Sequence, residues 1–374
     1  MIKILHLIKS LGRGGAEMLL AESLLLHNKN QFEFHYVYFL PWKNQLVQQI
    51  SGAGGKVTCL EATNSINIFF RAKDLINYIR YHKIDLLHCH MPVTGMLGRY
   101  VHSKIKIPVI YTEHNIQDRY HFITRFFNKF TFNYQTEVIA VSGEVKSSIE
   151  KNINPFINVS VVENGVNSEL FIRNAEEGMR IRKAFNIPNN AFVVGNIAVF
   201  RSQKRLKEWV EVFAASSKSN PNLFGLLVGQ GPFMEQVQAS IEAFGLQNKI
   251  ILAGLQSDVK AYYSAIDIFM MTSLYEGLPI ALLEAMSMEC AVVCTNAGGI
   301  KSVVSNGEDG FLVNVTDWKD LSTIINKLLA EPLLIQQYSA KARNKVMKSH
   351  GLSKTVLALE EIYFRNVKTF DTTK

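Results

Sequence analysis

Glu276 and Glu284 lie within Ser273-Leu274-Tyr275-Glu276-Gly277-Leu278-Pro279-Ile280-Ala281-Leu282-Leu283-Glu284-Ala285-Met286. The apolar run 268–271 before it reads as a buried strand. Gly277 permits a tight turn, and Pro279 fits the first position of a helix, where a missing N–H costs nothing. The expected helix is apolar nearly all round (Ile280, Leu282, Leu283, Ala285, Met286, Met288) and so belongs in a core. A carboxylate at Glu284 then requires a partner. The helix start offers free N–H groups and a positive dipole end, which suits a phosphate. One reading places a phosphorylated ligand over the helix start, with Glu284 accepting from its hydroxyls and Glu276 reaching its other end. The other pairs Glu284 with a buried Lys, Arg or backbone amide. This stretch alone leaves both open.

Basic groups stand elsewhere. Arg201-Ser202-Gln203-Lys204-Arg205 follows an apolar strand pattern, 193–200, and cations at the carboxyl end of a strand can neutralise a diphosphate. Gly12-Arg13-Gly14-Gly15 follows a strand pattern, 2–8, and precedes a helix pattern, 16–27, an arrangement that cradles phosphates. It is not Gly-x-Gly-x-x-Gly, which disfavours a dinucleotide cofactor. His88 and His90 have a metal-like spacing, but no carboxylate or third His is near them in sequence, so both read as structural. Ser142 reads as a helix N-cap. Cys59, Cys89, Cys290 and Cys294 read as buried thiols without a zinc site.

These groups need a scaffold. Strand patterns at 34–40, 56–60, 84–89, 109–112, 138–141 and 159–162 alternate with helical ones, then a second series begins near 192 with strands at 224–228 and 250–253. Such alternation predicts parallel sheets covered on both faces, with ligands at the carboxyl ends of strands. At 374 residues the chain suits two domains. It is 48% hydrophobic and 19% charged, hence globular. A net charge of +8 suggests anionic partners, but no basic cluster interleaved with aromatics suggests a nucleic-acid module.

The stretch around Glu276 and Glu284 resembles the Glu-x7-Glu motif of retaining glycosyltransferases of family GT4, which have the GT-B fold. Gly229-Gln230-Gly231-Pro232, Asn296-Ala297-Gly298-Gly299 and Asn306-Gly307-Glu308-Asp309-Gly310 match in order around it. So do Val141-Ser142 and Asn164-Gly165-Val166-Asn167. The resemblance implies an α/β protein of two facing, doubly wound Rossmann-like domains with a cleft between them. Its expected parts are an acceptor-binding domain at 1–170, a nucleotide-sugar domain at 171–350, and a helix at 351–374 crossing back to the first. Glu284 would bind ribose hydroxyls. Glu276, Gly277, Leu278 and Pro279 would hold the sugar and phosphate. Lys204 and Arg201 would stabilise the leaving diphosphate. Gly229, Leu255 and Val259 would line the nucleotide, the last two through backbone near the base. Gly14, Gly15 and His114, the last in Thr112-Glu113-His114-Asn115, would border the donor from the first domain. Catalysis would rest on His114, Lys204 and Glu276. The family's usual Arg stands five residues before the Lys; here that position is Val199, and Arg201 is three before Lys204.

The expected function is therefore transfer of a hexose-type sugar from a nucleotide-diphosphate sugar, UDP favoured, to a glycan or glycolipid in cell-surface polysaccharide synthesis. No Asp-x-Asp occurs in the chain, so metal-independent action without a cofactor is expected. Two alternatives stand beside this reading: a nucleotide-sugar epimerase of the same fold, and a non-catalytic nucleotide-sugar-binding partner. The segment 1–9 is too short and too charged for a signal peptide, and no long apolar run spans a membrane. A cytoplasmic location is expected, at the inner face of the plasma membrane. The motive for the membrane is 119–132, where Phe122, Ile123, Phe126, Phe127 and Phe130 recur at helical spacing among Arg119, Arg125 and Lys129. Basic residues beside exposed aromatics suit an anionic lipid interface; the alternative is a core helix packed on the sheet.

Overall fold

Apolar runs short enough to be strands, each followed by a helix that covers them, build two separate parallel sheets. The computed structural model describes residues 1–372. The first unit comprises Met1–Gly165 together with the helix Leu352–Thr372, and the second comprises Val166–Gly351.

The first unit holds β1 (Ile2–Leu7), β2 (Phe32–Tyr38), β3 (Lys56–Cys59), β4 (Leu86–His90), β5 (Val109–Glu113), β6 (Glu137–Ala140) and β7 (Asn158–Val161). They form a seven-stranded sheet in the order β3-β2-β1-β4-β5-β6-β7. All its neighbouring strands are parallel. The chain winds outward from β1 in one direction and from β4 in the other, so the switch point lies between β1 and β4. A crevice for ligands opens outside the carboxyl ends of strands at such a point.

The second unit holds β8 (Phe192–Ile197), β9 (Leu223–Val228), β10 (Ile250–Leu252), β11 (Ile268–Met271), β12 (Ala291–Thr295) and β13 (Phe311–Val313). Their order is β10-β9-β8-β11-β12-β13, again parallel throughout. The switch point here lies between β8 and β11. Trp209 is fully buried beneath this sheet; it stacks on Phe213 and donates its indole N–H to the Met270 carbonyl at 3.2 Å.

The helix Leu352–Thr372 closes the first unit. Ile362 and Tyr363 enter the same core as Ile4, Phe32, Phe34 and Tyr36. Glu360 accepts from His27 Nδ1 at 2.9 Å and from the Asn28 amide at 2.8 Å.

Candidate active site

Both loops at the second unit's switch point carry charged candidate residues. The loop after β8 carries Lys204 and the loop after β11 carries Glu276. Lys204 Nζ donates to Glu276 Oε1 at 2.6 Å, and Ser273 Oγ donates to the same oxygen at 2.6 Å. The loops are tied independently of that pair. Thr272 Oγ1 donates to the carbonyls of Lys204 and Arg205 at 3.1 and 2.9 Å, and the Leu274 amide donates to the Gln203 carbonyl at 2.8 Å. Glu276 is buried and Lys204 half-buried, so the ion pair stands in low dielectric where it is strong. Arg201 lies on the same loop but is exposed, with no ion pair or side-chain hydrogen bond among the described residues. Arg205 is committed elsewhere, to Glu208 Oε1 at 3.0 Å and the Val315 carbonyl at 2.9 Å.

Behind Glu276 runs the helix Ile280–Ser287. Pro279 does not occupy its first helical position as expected; it is the N-cap, in extended conformation with ψ 116°. The correction is one residue, because the chain enters the helix only after leaving the tight turn at Gly277. The helix is buried as its composition demands, and Glu284 is buried with it. Its partner is neither the cation nor the amide considered above: the Tyr263 hydroxyl donates to Glu284 Oε2 at 2.7 Å. Burial pushes the Glu284 carboxyl up to about 7, opposed by the Tyr263 hydrogen bond. Its other oxygen accepts no hydrogen bond among the described residues.

Two glycine segments fix the backbone around these groups. Gly298 has φ +58°, and a Cβ there would collide with the Glu276 carbonyl; one on Gly299 would collide with the Gly277 carbonyl. The Asn296-Ala297-Gly298-Gly299 segment thus lies flat against Glu276, Gly277 and buried Leu278. Gly229 has φ +127° and presses on the Ala198 carbonyl, which packs the turn after β9 against the turn after β8. Its amide donates to the Gly254 carbonyl at 2.8 Å, joining it to the loop that carries exposed Leu255 and half-buried Val259.

In the first unit the sheet brings four histidines together. His6 and His88 are paired across β1 and β4, and His90 follows on the same face of β4. The third imidazole that sequence proximity did not offer is His6, supplied from a distant strand. His6 Nδ1 lies 3.0 Å from His90 Nε2, and His90 Nδ1 lies 3.3 Å from His114 Nε2, His114 following β5. His88 contacts hydroxyls at both nitrogens, Tyr363 at 2.8 Å and Thr112 at 2.7 Å. Ring nitrogens of His6, His88 and His90 lie within 4.8 Å of one another, a grouping among the described residues that could enclose a metal ion. Both nitrogens of His88 and of His90 are instead engaged in hydrogen bonds. Burial pushes His114 down to about 4 and His88 to about 3.

Beside His114, Glu113 is fully buried and accepts from Tyr111 at 2.8 Å, from Gln117 at 2.5 Å, from the Asn115 amide at 3.3 Å, and from Tyr120. Burial raises its carboxyl above the usual range. Gly14 is the N-cap of the helix Gly15–Leu26, and the Glu17 carboxylate sits against it, where a Cβ on residue 14 would be. An anion thus already lies beside this helix start. Ser142 Oγ caps its helix, accepting from the Val145 amide at 3.3 Å.

The core reading of 119–132 is overturned. The helix Phe122–Thr131 turns Phe122, Phe126 and Phe130 outward at 73%, 66% and 73% exposure, with Ile123 and Phe127 also exposed. Its inner side is polar. Asn128 is fully buried, donating to Gln117 Oε1 at 3.1 Å and accepting from Arg99 Nη1 at 2.8 Å, while buried Arg99 stacks between Tyr111 and Phe132. Polar anchoring inside leaves the apolar side of the helix facing out.

Sequence reasoning missed Tyr263, Ser273 and the His6–His90 contact. A signal existed for Ser273: Thr272 and Ser273 are hydroxyl residues ending an apolar strand, where side chains turn to loop contacts.

Comparison with known proteins follows the same two-part division. The family model described as Glycosyltransferase Family 4 matches residues 14–170, and that described as Glycosyl transferases group 1 matches 179–345. An Escherichia coli UDP-Gal:alpha-D-GlcNAc-diphosphoundecaprenol alpha-1,3-galactosyltransferase is 26% identical, covering 77% of each chain. The Staphylococcus aureus capsular polysaccharide biosynthesis glycosyltransferase CapM is 24% identical over 90% of this chain and 97% of its own. The crystal structure of Anabaena HepE in complex with UDP and glucose superposes with a TM-score of 0.85 at 20% identity, covering 97% of this chain and 99% of that one. These likenesses do not support the epimerase alternative. Two parallel Rossmann-like sheets, the paired Lys204 and Glu276 at a switch point, and matches along both units agree: the chain belongs to the glycosyltransferases of group 1 and family 4, with the GT-B fold.

Proposed function

We propose that this glycosyltransferase moves a hexose-type sugar from a UDP-sugar to a glycan or lipid-linked acceptor in cell-surface polysaccharide synthesis, with retained anomeric configuration and no divalent metal. The observation that carries the reading is the Lys204–Glu276 pair at the carboxyl ends of β8 and β11, beside the start of the helix Ile280–Ser287. A nucleotide sugar laid there meets a cation for the diphosphate and the N–H groups of a helix start. It also meets the unengaged oxygen of Glu284 for ribose hydroxyls. In this reading the second unit takes the donor and the first takes the acceptor. Charge grows on the diphosphate as the glycosidic bond breaks, and Lys204, with Arg201 swinging in from solvent, stabilises it. Glu276 then orients the sugar. His114 borders the sugar, and Gly14 and Gly15 give backbone room beside it. The acceptor hydroxyl attacks on the leaving-group face.

The Escherichia coli relative's lipid-diphosphate acceptor and the capsular relative support the acceptor class. UDP and UDP-glucose in HepE crystals support the donor class. No described helix is long and apolar enough to cross a membrane. The outward Phe122, Phe126 and Phe130 among Arg119, Arg125 and Lys129 support peripheral docking on an anionic inner-leaflet surface in the cytoplasm.

The experiment is a screen of UDP-, GDP- and ADP-sugars for thermal stabilisation and slow hydrolysis. A UDP-sugar that stabilises the wild type, with the effect lost in Glu284→Ala, is the expected result. Stabilisation unaffected by Glu284→Ala would overturn the placement of the nucleotide.

A further inference from the structure

The first unit has a concavity at the end of its sheet opposite the switch-point crevice. A cavity of about 340 Å³ lies at the amino ends of β4 and β5. It is walled by the ends of the helices Ala72–His82 and Pro92–Ile105 and by the helix Leu352–Thr372. Its volume falls among those of small-ligand pockets, roughly 300–1,000 Å³. All of its lining belongs to the first unit.

The lining divides by chemistry. Ile79, Ile84, Ile107 and Pro108 are buried, and with half-buried Phe370 they form an apolar floor. Arg80, Lys83 and Lys106 are exposed and stand around it. None of these three cations makes an ion pair or a side-chain hydrogen bond among the described residues. Asp85 is the one acid in the lining, and its Oδ2 accepts from the Lys3 amide at 2.8 Å.

The lysines are not engaged in capping with their side chains. The chain leaves each helix through a left-handed residue, Lys83 at φ +55° and Lys106 at φ +51°, the step at which helices commonly end. It lets backbone amides take the last carbonyls. The Lys83 amide donates to the Arg80 carbonyl at 3.3 Å, the Ile84 amide to the Ile79 carbonyl at 3.0 Å, and the Lys106 amide to the His102 carbonyl at 2.9 Å.

Cations beside buried apolar side chains suit a ligand with two parts. An apolar body leaves water against the isoleucines, and an anionic head meets lysine and arginine. A head alone gains only exposed charge contacts, which are weak and screened by salt. A body alone leaves the cations unmatched. We propose that this cavity binds a small amphiphilic anion: a compact aliphatic or aromatic body carrying one phosphate or carboxylate. The site is separate from the Lys204–Glu276 pair, which belongs to the second unit.

The test is a methyl NMR titration of the full chain with labelled isoleucine, since Ile79, Ile84, Ile105 and Ile107 all line the cavity. The probe is hexyl phosphate, with inorganic phosphate as the head alone and hexanol as the body alone. Saturable shifts at these isoleucines are expected with hexyl phosphate, at least about tenfold tighter than with either control. Lys83→Glu combined with Lys106→Glu should weaken binding by roughly tenfold or more, while the remaining isoleucine signals show the fold intact. Saturating UDP should not displace the probe. Absence of saturable shifts at these isoleucines would overturn the proposal, as would unchanged affinity in the lysine variant or displacement by UDP. An equal response to inorganic phosphate would mean an adventitious ion only, and an equal response to hexanol a merely apolar hole; either would also overturn it.

Discussion

Lys204 and Glu276 are bonded to each other at 2.6 Å, with Ser273 donating to the same Glu276 oxygen. If Lys204 serves the donor diphosphate as proposed, it must loosen its hold on Glu276, so that donor entry exchanges one anion for another. Lys204→Ala should lower kcat more than it raises donor KM, because charge on the diphosphate is largest in the transition state. It should also cost about 2 kcal/mol of stability, since it leaves a buried carboxylate with Ser273 alone. Steady-state kinetics and denaturant unfolding check both. An effect confined to KM would restrict Lys204 to ground-state binding.

Glu284 gives a pH signature. Its carboxyl is raised from the ordinary 4.5 to about 7 by burial. The folded state therefore binds this proton more tightly than the unfolded chain. The Glu284 contribution to stability is greatest below pH 4.5 and is lost as pH rises toward about 7. If ribose hydroxyls donate to the ionised form, nucleotide affinity runs the other way, tightening as pH rises through that range. Calorimetry should find this slope in the wild type and a flat profile in Glu284→Gln. At high pH, Glu284→Ala should weaken binding by roughly 1.5–3 kcal/mol.

Gly298 should tolerate no side chain. Its φ of +58° and its contact with the Glu276 carbonyl mean that Gly298→Ala adds left-handed strain and pushes on the backbone that carries Glu276. A loss of about 1–3 kcal/mol is expected, together with weaker donor binding. Normal donor affinity in a folded Gly298→Ala protein would detach this loop from the site.

Activity should survive EDTA. In the proposed reading, Lys204 and the helix start take the charge-stabilising role that a bound cation would otherwise fill. Full loss in EDTA, restored by magnesium or manganese, would refute metal independence.

Phe126→Ser combined with Phe130→Ser should leave stability within about 0.5 kcal/mol, as both side chains are exposed. The same pair should abolish flotation with vesicles containing anionic lipid, and salt should weaken wild-type binding. No wild-type binding to such vesicles would discard the membrane reading.

The fold was legible because strand and helix periods alternate cleanly, and the run 268–271 became β11 without adjustment. Other expected strands moved by one to three residues at their ends, where hydrogen bonding rather than composition sets the limit, and β12 and β13 were not anticipated. Loops at carboxyl ends of strands were legible as places for chemistry, but the contacts within them were not. Tyr263 reaches Glu284 from a separate helix, and His6 reaches His90 across 84 residues. Nothing local marks either pair. The helix Phe122–Thr131 shows the limit of periodicity most clearly. The spacing of its phenylalanines reveals a stripe, but only Asn128, Gln117 and Arg99 meeting beneath it decide which way that stripe faces.

The helix Leu352–Thr372 has a consequence for the order of synthesis. Tyr363 completes a core begun at Ile4, and Glu360 is bonded to His27 across 333 residues. The ribosome makes all of Val166–Gly351 between these partners. The second unit can therefore fold while the first still waits, its sheet made but one wall open. Released chains truncated after residue 351 should carry a protease-resistant second unit behind a protease-sensitive first.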